Sequence, residues 1–319
     1  MPTAHQVKSL IRSHFGANEE QFTTTVLQVA AQDARKGHQE LAQELRTLVD
    51  GFKDTKVKFR RLNPNLEGLI LELPAEAKKS EFVAPPDLKQ RLERILNEYR
   101  QRGKLKSHGL EHRRKIMLSG AAGTGKTLTA EIIAKELNLP FFVILMDKLV
   151  TKFMGETSAQ LRLIFNQIED VHGVYLFDEF DAIGSERSLV GEVAEMRRVL
   201  NSFLQFIEQN KSDSFIVTAT NNVNLLDNAL FRRFDDVLKY ELPDIKQARQ
   251  LIKNRLGTYQ GKFDIENIPQ KYLKLSHAEI ALACNHAVKE SILSDKRQIT
   301  KSLLEKMLKE RLASYPHHK

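Results

Sequence analysis

A run of eight residues, Gly120-Ala121-Ala122-Gly123-Thr124-Gly125-Lys126-Thr127, has the spacing G-x-x-x-x-G-K-[ST]. Its glycines admit backbone conformations closed to residues with side chains, so successive N–H groups can point at one anion. Such a loop wraps a triphosphate, with Lys126 reaching the outer phosphates as a point charge and the Thr127 hydroxyl holding Mg²⁺. A second stretch, Asp178-Glu179-Phe180-Asp181, supplies paired carboxylates. Asp178 suits the outer sphere of Mg²⁺, and Glu179 a base that orients or deprotonates a water. Alone these residues read as an acidic turn; following a good phosphate loop they are a stronger signal. Asn221 could hydrogen-bond that water or the terminal phosphate, although alone an Asn is more often a turn residue. Arg232 and Arg233 stand side by side in a hydrophobic context, where a structural ion pair is the plain alternative to chemistry.

These groups need rigid elements behind them. Ile116-Met-Leu-Ser119 suits a buried strand running into the loop, and Leu128, Ile132 and Leu137 predict a helix over 127–138. Residues 174–177 predict a strand that delivers the carboxylates at its C-terminal edge, where ligands bind in such sheets. Residues 215–220 predict another, ending at Asn221, with further strands at 141–145 and 237–242. Between the second strand and a helix through Leu161, Ile164, Phe165 and Ile168 lies Lys152-Phe153-Met154-Gly155. By residue type alone, its aromatic and Met read as core packing.

The flanks read differently. Residues 1–52 predict three short helices with apolar faces Val7, Leu10, Ile11 and His14/Phe15; Phe22, Val26, Val29 and Ala30; and Leu41, Leu45, Leu48 and Val49. They suit a docking module or a plain packing domain. Residues 53–81 form a basic linker with a short strand at 69–73. Pro85 and Pro86 introduce an amphipathic helix through Leu88, Leu92, Ile95, Leu96 and Tyr99, and residues 244–319 read as a helical lid. Hydrophobic residues at 41% and charged ones at 28% allow an ordinary buried core. A single Cys284 excludes a disulfide framework within the chain. With no apolar run near the ~18 residues of a membrane span and no signal-peptide layout, a cytoplasmic location is expected. The net charge of +8 is uneven: segment 116–239 is acidic, whereas 53–115 and 240–319 are basic. That pattern suits nucleic acid, head-to-tail assembly or a merely solvated surface.

Taken jointly and in order, the motifs resemble the AAA family of ATPases over roughly residues 82–312. They are Gly-Ala-Ala-Gly-Thr-Gly-Lys-Thr, Tyr-Leu-Phe-Asp-Glu-Phe-Asp-Ala-Ile-Gly, Thr-Ala-Thr-Asn, Leu-Asp-Asn-Ala-Leu-Phe-Arg-Arg-Phe-Asp and Leu-Ser-His-Ala-Glu-Ile. The resemblance implies an α/β fold, a P-loop NTPase with a five-stranded parallel sheet at 82–243 and a four-helix C-terminal lid at 244–319, behind a small all-α N-terminal region. It implies ring assembly, usually as a hexamer, with Mg-ATP between subunits, Glu179 as catalytic base, Asn221 as sensor, and Arg232 and Arg233 as fingers supplied to a neighbour. Gly120 to Leu128 would hold the phosphates, with His277 and Ala278 at the adenine pocket. Lys152 to Gly155 matches the pore loop, where Phe153 and Met154 grip an extended polypeptide. Ala121-Ala122 stands where Pro-Pro is commoner, a Pro-Gly is missing before the last finger, and His277 replaces a Gly. The architecture also resembles small bacterial members found with subtilisin-like serine proteases in phage-defence modules.

The expected function is an ATP-driven protein remodelling or unfolding motor that engages a client, or a partner such as a serine protease, through residues 1–52. Two rivals are a nucleic-acid-dependent ATPase, suggested by the basic 53–115 segment, and a nucleotide-gated assembly module that barely hydrolyses. Intact Asp178, Glu179 and Asn221 argue against the second, and the Phe-Met-Gly loop against the first.

Overall fold

The computed structural model describes residues 4–15, 19–35, 37–39, 41–47, 63–149, 154–183, 190–222 and 228–314. The chain divides into two compact units, Met1–Arg60 and Arg61–Lys319.

The first unit holds helices α1 (Ala4–Phe15), α2 (Glu19–Arg35) and α3 (41–47). On α1 the expected face does not hold, because Val7 and Ile11 are 40% and 52% exposed while Ser13 is buried. Ser13 tolerates burial because its hydroxyl donates to Ser9 O at 2.8 Å, within its own helix. On α2 the buried positions are Thr25, Val29, Ala30 and Asp33, and Phe22 lies at the surface. Leu48, Val49 and the basic run Lys53 to Arg61 lie outside the described residues.

In the second unit one sheet has the order β1-β3-β4-β5-β2-β6, from β1 (Ile70–Leu73), β2 (Lys115–Gly120), β3 (Phe141–Ile144), β4 (Val174–Phe177), β5 (Phe215–Thr220) and β6 (Asp236–Tyr240). The five parallel strands are those expected. A sixth, β1, read above as part of the linker, pairs antiparallel with β3 and covers that edge. The helices are α4 (Pro86–Arg100), α5 (Arg102–Ser107), α6 (Lys126–Leu137), α7 (Met146–Leu149), α8 (Met154–Asp170), α9 (Val190–Gln209), α10 (Asn228–Phe231), α11 (Ile245–Leu256), α12 (His277–Leu293) and α13 (Lys301–Ala313).

Alternation along β2 splits the core into two layers. Ile116 and Leu118 join Leu92 and Ile95 of α4 and Ile132 of α6 on one face; Met117 joins Ile164 and Phe165 of α8 and Phe203 of α9 on the other. Strands β4 and β5 are buried along their whole length, as a sheet covered on both faces requires. Helix α9 has no counterpart in the sequence reading, though Val199, Phe203 and Ile207 carry its period. Its Phe203 packs 4.7 Å from Phe180, ring to ring, and so pins the residue that follows Glu179.

The lid has its own core, in which Cys284 is buried and its thiol is pushed up to about 12 by burial, leaving it inert. The implied four-helix lid is corrected: among the described residues three α-helices occur, and short 3₁₀ turns at Gly257–Tyr259, Ile265–Asn267 and Gln270–Leu273 fill the span between α11 and α12. Gly257, Gly261 and Pro269 break any helical period there. Each lid helix is capped as its sequence dictates: Asp244 and Gln247 form a capping box, Ser276 accepts from Glu279 N, and Thr300 accepts from Leu303 N.

Candidate functional site

The loop between β2 and α6 is forced by close approaches. Gly120 has φ +148°, and a Cβ there would stand 2.0 Å from Tyr240 O on β6. At Gly123, φ +72°, a Cβ would meet Ser276 Oγ of the lid at 2.6 Å. The Ala278 N–H donates to Gly123 O at 2.9 Å, so the lid is hydrogen-bonded to the loop itself. Gly125 then opens α6, whose first N–H groups face the loop's concavity. Thr124 braces the turn by donating to Ala121 O at 2.7 Å.

Lys126 is buried, and its Nζ donates to Gly120 O, Ala121 O and Asn221 Oδ1 at 2.7, 2.8 and 2.8 Å. Burial pushes its pKa down, while Asp178 and Asp181 oppose that shift. One residue on, the Thr127 hydroxyl donates to Asp178 Oδ2 at 2.8 Å. The other Asp178 oxygen accepts from Glu179 N at 2.9 Å, and Glu179 itself sits at φ +53°, an uncommon region for a residue with a side chain. Asp181 Oδ1 accepts from Thr220 Oγ1 at 3.1 Å and from Asn221 N at 3.2 Å. The ends of adjacent strands β4 and β5 are thereby cross-linked beside the loop.

A cleft of about 430 Å³ brings together Ala122 through Leu128, Asp178, Glu179, Asn221, His277 and Ala278. Gly120 and Ala121 stand behind it, facing Lys126 with their carbonyls. Neither nitrogen of His277 meets a hydrogen-bond partner among the described residues, and burial lowers its pKa against the opposing effect of the nearby Val83 carbonyl. Glu81, Phe82, Val83, Leu251, Arg255 and Ala281 also line the cleft, and sequence reasoning did not find them. Only folding brings the segment before α4 against α11 and α12, and no local spacing announces it.

Arg232 and Arg233 stand apart from this cleft; Arg232 is exposed, and Arg233 is ion-paired with Glu208 of α9. Lys152 and Phe153 lie outside the described residues, and Met154 and Gly155 open α8.

Thr127 and Asp178 offer hard oxygen donors already in mutual contact. No cluster of three or more His, Cys, Asp or Glu poised for a metal occurs among the described residues. This donor set fits Mg²⁺, which keeps several waters and relies on one or two carboxylates plus substrate phosphates.

The sequence profile of the ATPase family associated with various cellular activities (AAA) matches residues 116–242. An uncharacterized AAA family ATPase, y4kL of Sinorhizobium fredii, is 31% identical over 306 residues, covering 94% of this chain and 92% of that protein. The ATP-dependent zinc metalloprotease FtsH of Mycoplasmopsis synoviae is 32% identical over 210 residues, which are 63% of this chain and 31% of that one. A putative 26S proteasome regulatory subunit homolog of Methanothermobacter thermautotrophicus is 30% identical over 210 residues, 63% of this chain and 56% of that one. The last two matches therefore concern only part of each relative.

Proposed function

Because the chain belongs to the AAA family of ATPases, we propose that it is a protein remodelling or unfolding motor that hydrolyses ATP between the subunits of a ring. The observation that carries the assignment of roles is the Thr127–Asp178 hydrogen bond with Glu179 beside it. It brings hard oxygen donors and a second carboxylate to the mouth of the phosphate loop, which supports metal binding by the first and water activation by the second. Lys126 exchanges its carbonyl partners for phosphate oxygens, and the loop N–H groups cradle the remainder. Thr127 and Asp178 would hold Mg²⁺, which would supply neutralisation of phosphate charge. Glu179 orients the attacking water and takes its proton, and Asn221 holds the water or the terminal phosphate in place. Arg232 and Arg233 complete a neighbour's site.

A polypeptide client is favoured by two relatives whose names are tied to proteolysis, a metalloprotease and a proteasome regulatory subunit homolog. In this reading Lys152 to Gly155 line the pore, residues 1–52 dock a client or a partner such as a serine protease, and the ring is a hexamer. In the basic 53–115 segment, whose run Lys53 to Arg61 lies outside the described residues, several of the described cations are already paired, which weakens the nucleic-acid reading there. Among its described residues Lys79, Arg91, Arg100, Lys106, Arg113 and Arg114 are paired with Glu93, Asp236, Glu136, Asp213, Glu98 and Glu111. Among the described residues no helix is long and apolar enough to cross a membrane.

The test compares Lys126→Ala with Glu179→Gln. The first is expected to abolish ATP binding; the second to bind ATP and lose turnover by roughly 10²–10⁴-fold. Wild-type hydrolysis by Glu179→Gln would overturn the mechanism. Polypeptide retained by the Glu179→Gln trap supports a protein client, and nucleic acid retained instead overturns it.

A further inference from the structure

Beside the phosphate loop, the cleft is also lined by a charged pair, Glu81 and Arg255. Glu81 ends the 3₁₀ turn Lys79–Glu81 of the core, and Arg255 stands in the last turn of lid helix α11. Glu81 Oε2 accepts from Arg255 Nη2 at 2.8 Å, and Glu81 Oε1 accepts from Lys78 N at 3.2 Å. Next to the pair, Asn254 Nδ2 donates to Ser80 O at 3.2 Å, a second link between lid and core. Both charged side chains line the cleft and keep an open face, with Glu81 28% and Arg255 33% exposed.

A partly exposed ion pair adds little stability by itself. Its remaining hydrogen-bonding capacity is the informative part. One donor reaches each carboxylate oxygen, and a carboxylate has about four lone-pair sites, so Glu81, which lines the cleft, keeps acceptor capacity. Phe82, Val83, Leu251 and Ala281 add apolar walls to the cleft, suited to a flat base. Vicinal hydroxyls are the donors that a nucleoside adds beyond its base and phosphates, and carboxylates are their usual acceptors in nucleotide sites.

Resting on the nucleotide reading of the cleft, the geometry points to Glu81, oriented by Arg255, as the acceptor of a hydrogen bond from the nucleoside sugar hydroxyls. The pair is thus a determinant of ribose over deoxyribose, and sugar recognition is tied to the seating of the lid.

The experiment measures equilibrium binding of ADP, 2′-deoxyADP, 3′-deoxyADP and pyrophosphate to the full chain, so that no turnover intervenes. Wild type is expected to bind ADP about tenfold tighter than at least one deoxy analogue, the size of one hydrogen bond to a charged group. Glu81→Ala should lose that preference and bind ADP about tenfold more weakly, with pyrophosphate affinity unchanged within twofold. Arg255→Met should show a reduced preference, because the carboxylate loses its orientation. Equal wild-type affinity for ADP and both deoxy analogues overturns the inference, and this comparison needs no variant to fold. An equal fall in ADP and pyrophosphate binding on Glu81→Ala also overturns it, since the pair would then only seat the lid. Wild type that binds neither ADP nor pyrophosphate overturns the nucleotide reading and this inference together.

Discussion

Lys126 Nζ donates to Asn221 Oδ1 at 2.8 Å, joining the first residue of α6 to the end of β5. The same Asn221 donates its backbone N–H to Asp181 Oδ1, so its side chain is placed from both neighbouring strands. A phosphate that draws Lys126 away therefore frees the Asn221 amide while its backbone stays anchored.

If the freed amide acts mainly in the transition state, Asn221→Ala should leave ATP affinity within a few-fold and lower kcat by about 10²-fold, the scale for removing one preorganised polar group. Steady-state hydrolysis beside direct binding separates the two effects. A variant that loses binding with kcat intact would give Asn221 a ground-state role instead.

Two loop glycines should differ in what they tolerate. A methyl at Gly120 runs into the Tyr240 backbone, which cannot move without parting β2 from β6. At Gly125, φ +102°, a Cβ meets nothing within 4 Å, so only backbone strain opposes it. Gly120→Ala should thus cost several kcal/mol, about 3 or more, and Gly125→Ala about 1–2. Urea melts of the two variants check the order; equal losses would refute the close-approach argument.

The phosphate loop, the carboxylate strand end and the five parallel strands were legible because each is a local pattern of residue type and period. Strand β1 was visible as a strand, but its pairing with β3 is a long-range fact. Helix α9 went unread although Phe203 and Ile207 hold its period, and it shapes the site by pinning Phe180. The Glu81–Arg255 pair lining the cleft left no signal, since a lone Glu before one helix and a lone Arg ending another look like solvated charges. In the front unit the face of α1 was misassigned because Ser13 packs inward with its hydroxyl on Ser9 O, while on α2 Thr25 is buried with its hydroxyl 3.4 Å from Ser9 Oγ. Periodicity counts apolar residues and cannot see that.

Stability should fall in mild acid, and His172 is one cause. Its Nε2 lies 2.6 Å from Tyr99 Oη, its Nδ1 3.4 Å from Ser214 Oγ, and burial lowers its pKa to about 4, with Asp213 opposing. The unfolded chain binds this proton near the ordinary 6.5 and the folded chain does not until about 4. Stability from this group is therefore complete above about 6.5 and declines as pH falls toward 4, by roughly 2–3 kcal/mol. Burial pushes His112 the same way. Melting temperatures from pH 7.5 to 4.5 should drop, and His172→Gln should flatten the slope. A slope unchanged in that variant would assign the acid sensitivity elsewhere.

The two adjacent arginines should not be equivalent. Arg233 is held by Glu208, and its N–H donates to Leu230 O at 3.0 Å, whereas Arg232 is exposed with no polar partner among the described residues. The plain alternative of a structural ion pair thus describes Arg233, and Arg232 is the one presented outward. If the outward arginine reaches a neighbouring subunit's phosphates, Arg232→Ala should lower kcat by about 10³-fold, the scale of a lost transition-state arginine. Arg233→Ala should cost less activity, and little stability, because its ion pair with Glu208 is largely exposed. Mixing decides whether the arginine acts across an interface. Arg232→Ala subunits combined with Glu179→Gln subunits should regain part of the activity, since an intact Glu179 can then meet an intact Arg232 at some interfaces. Co-assembly without any recovery, or a larger kcat loss for Arg233→Ala, would reverse the assignment.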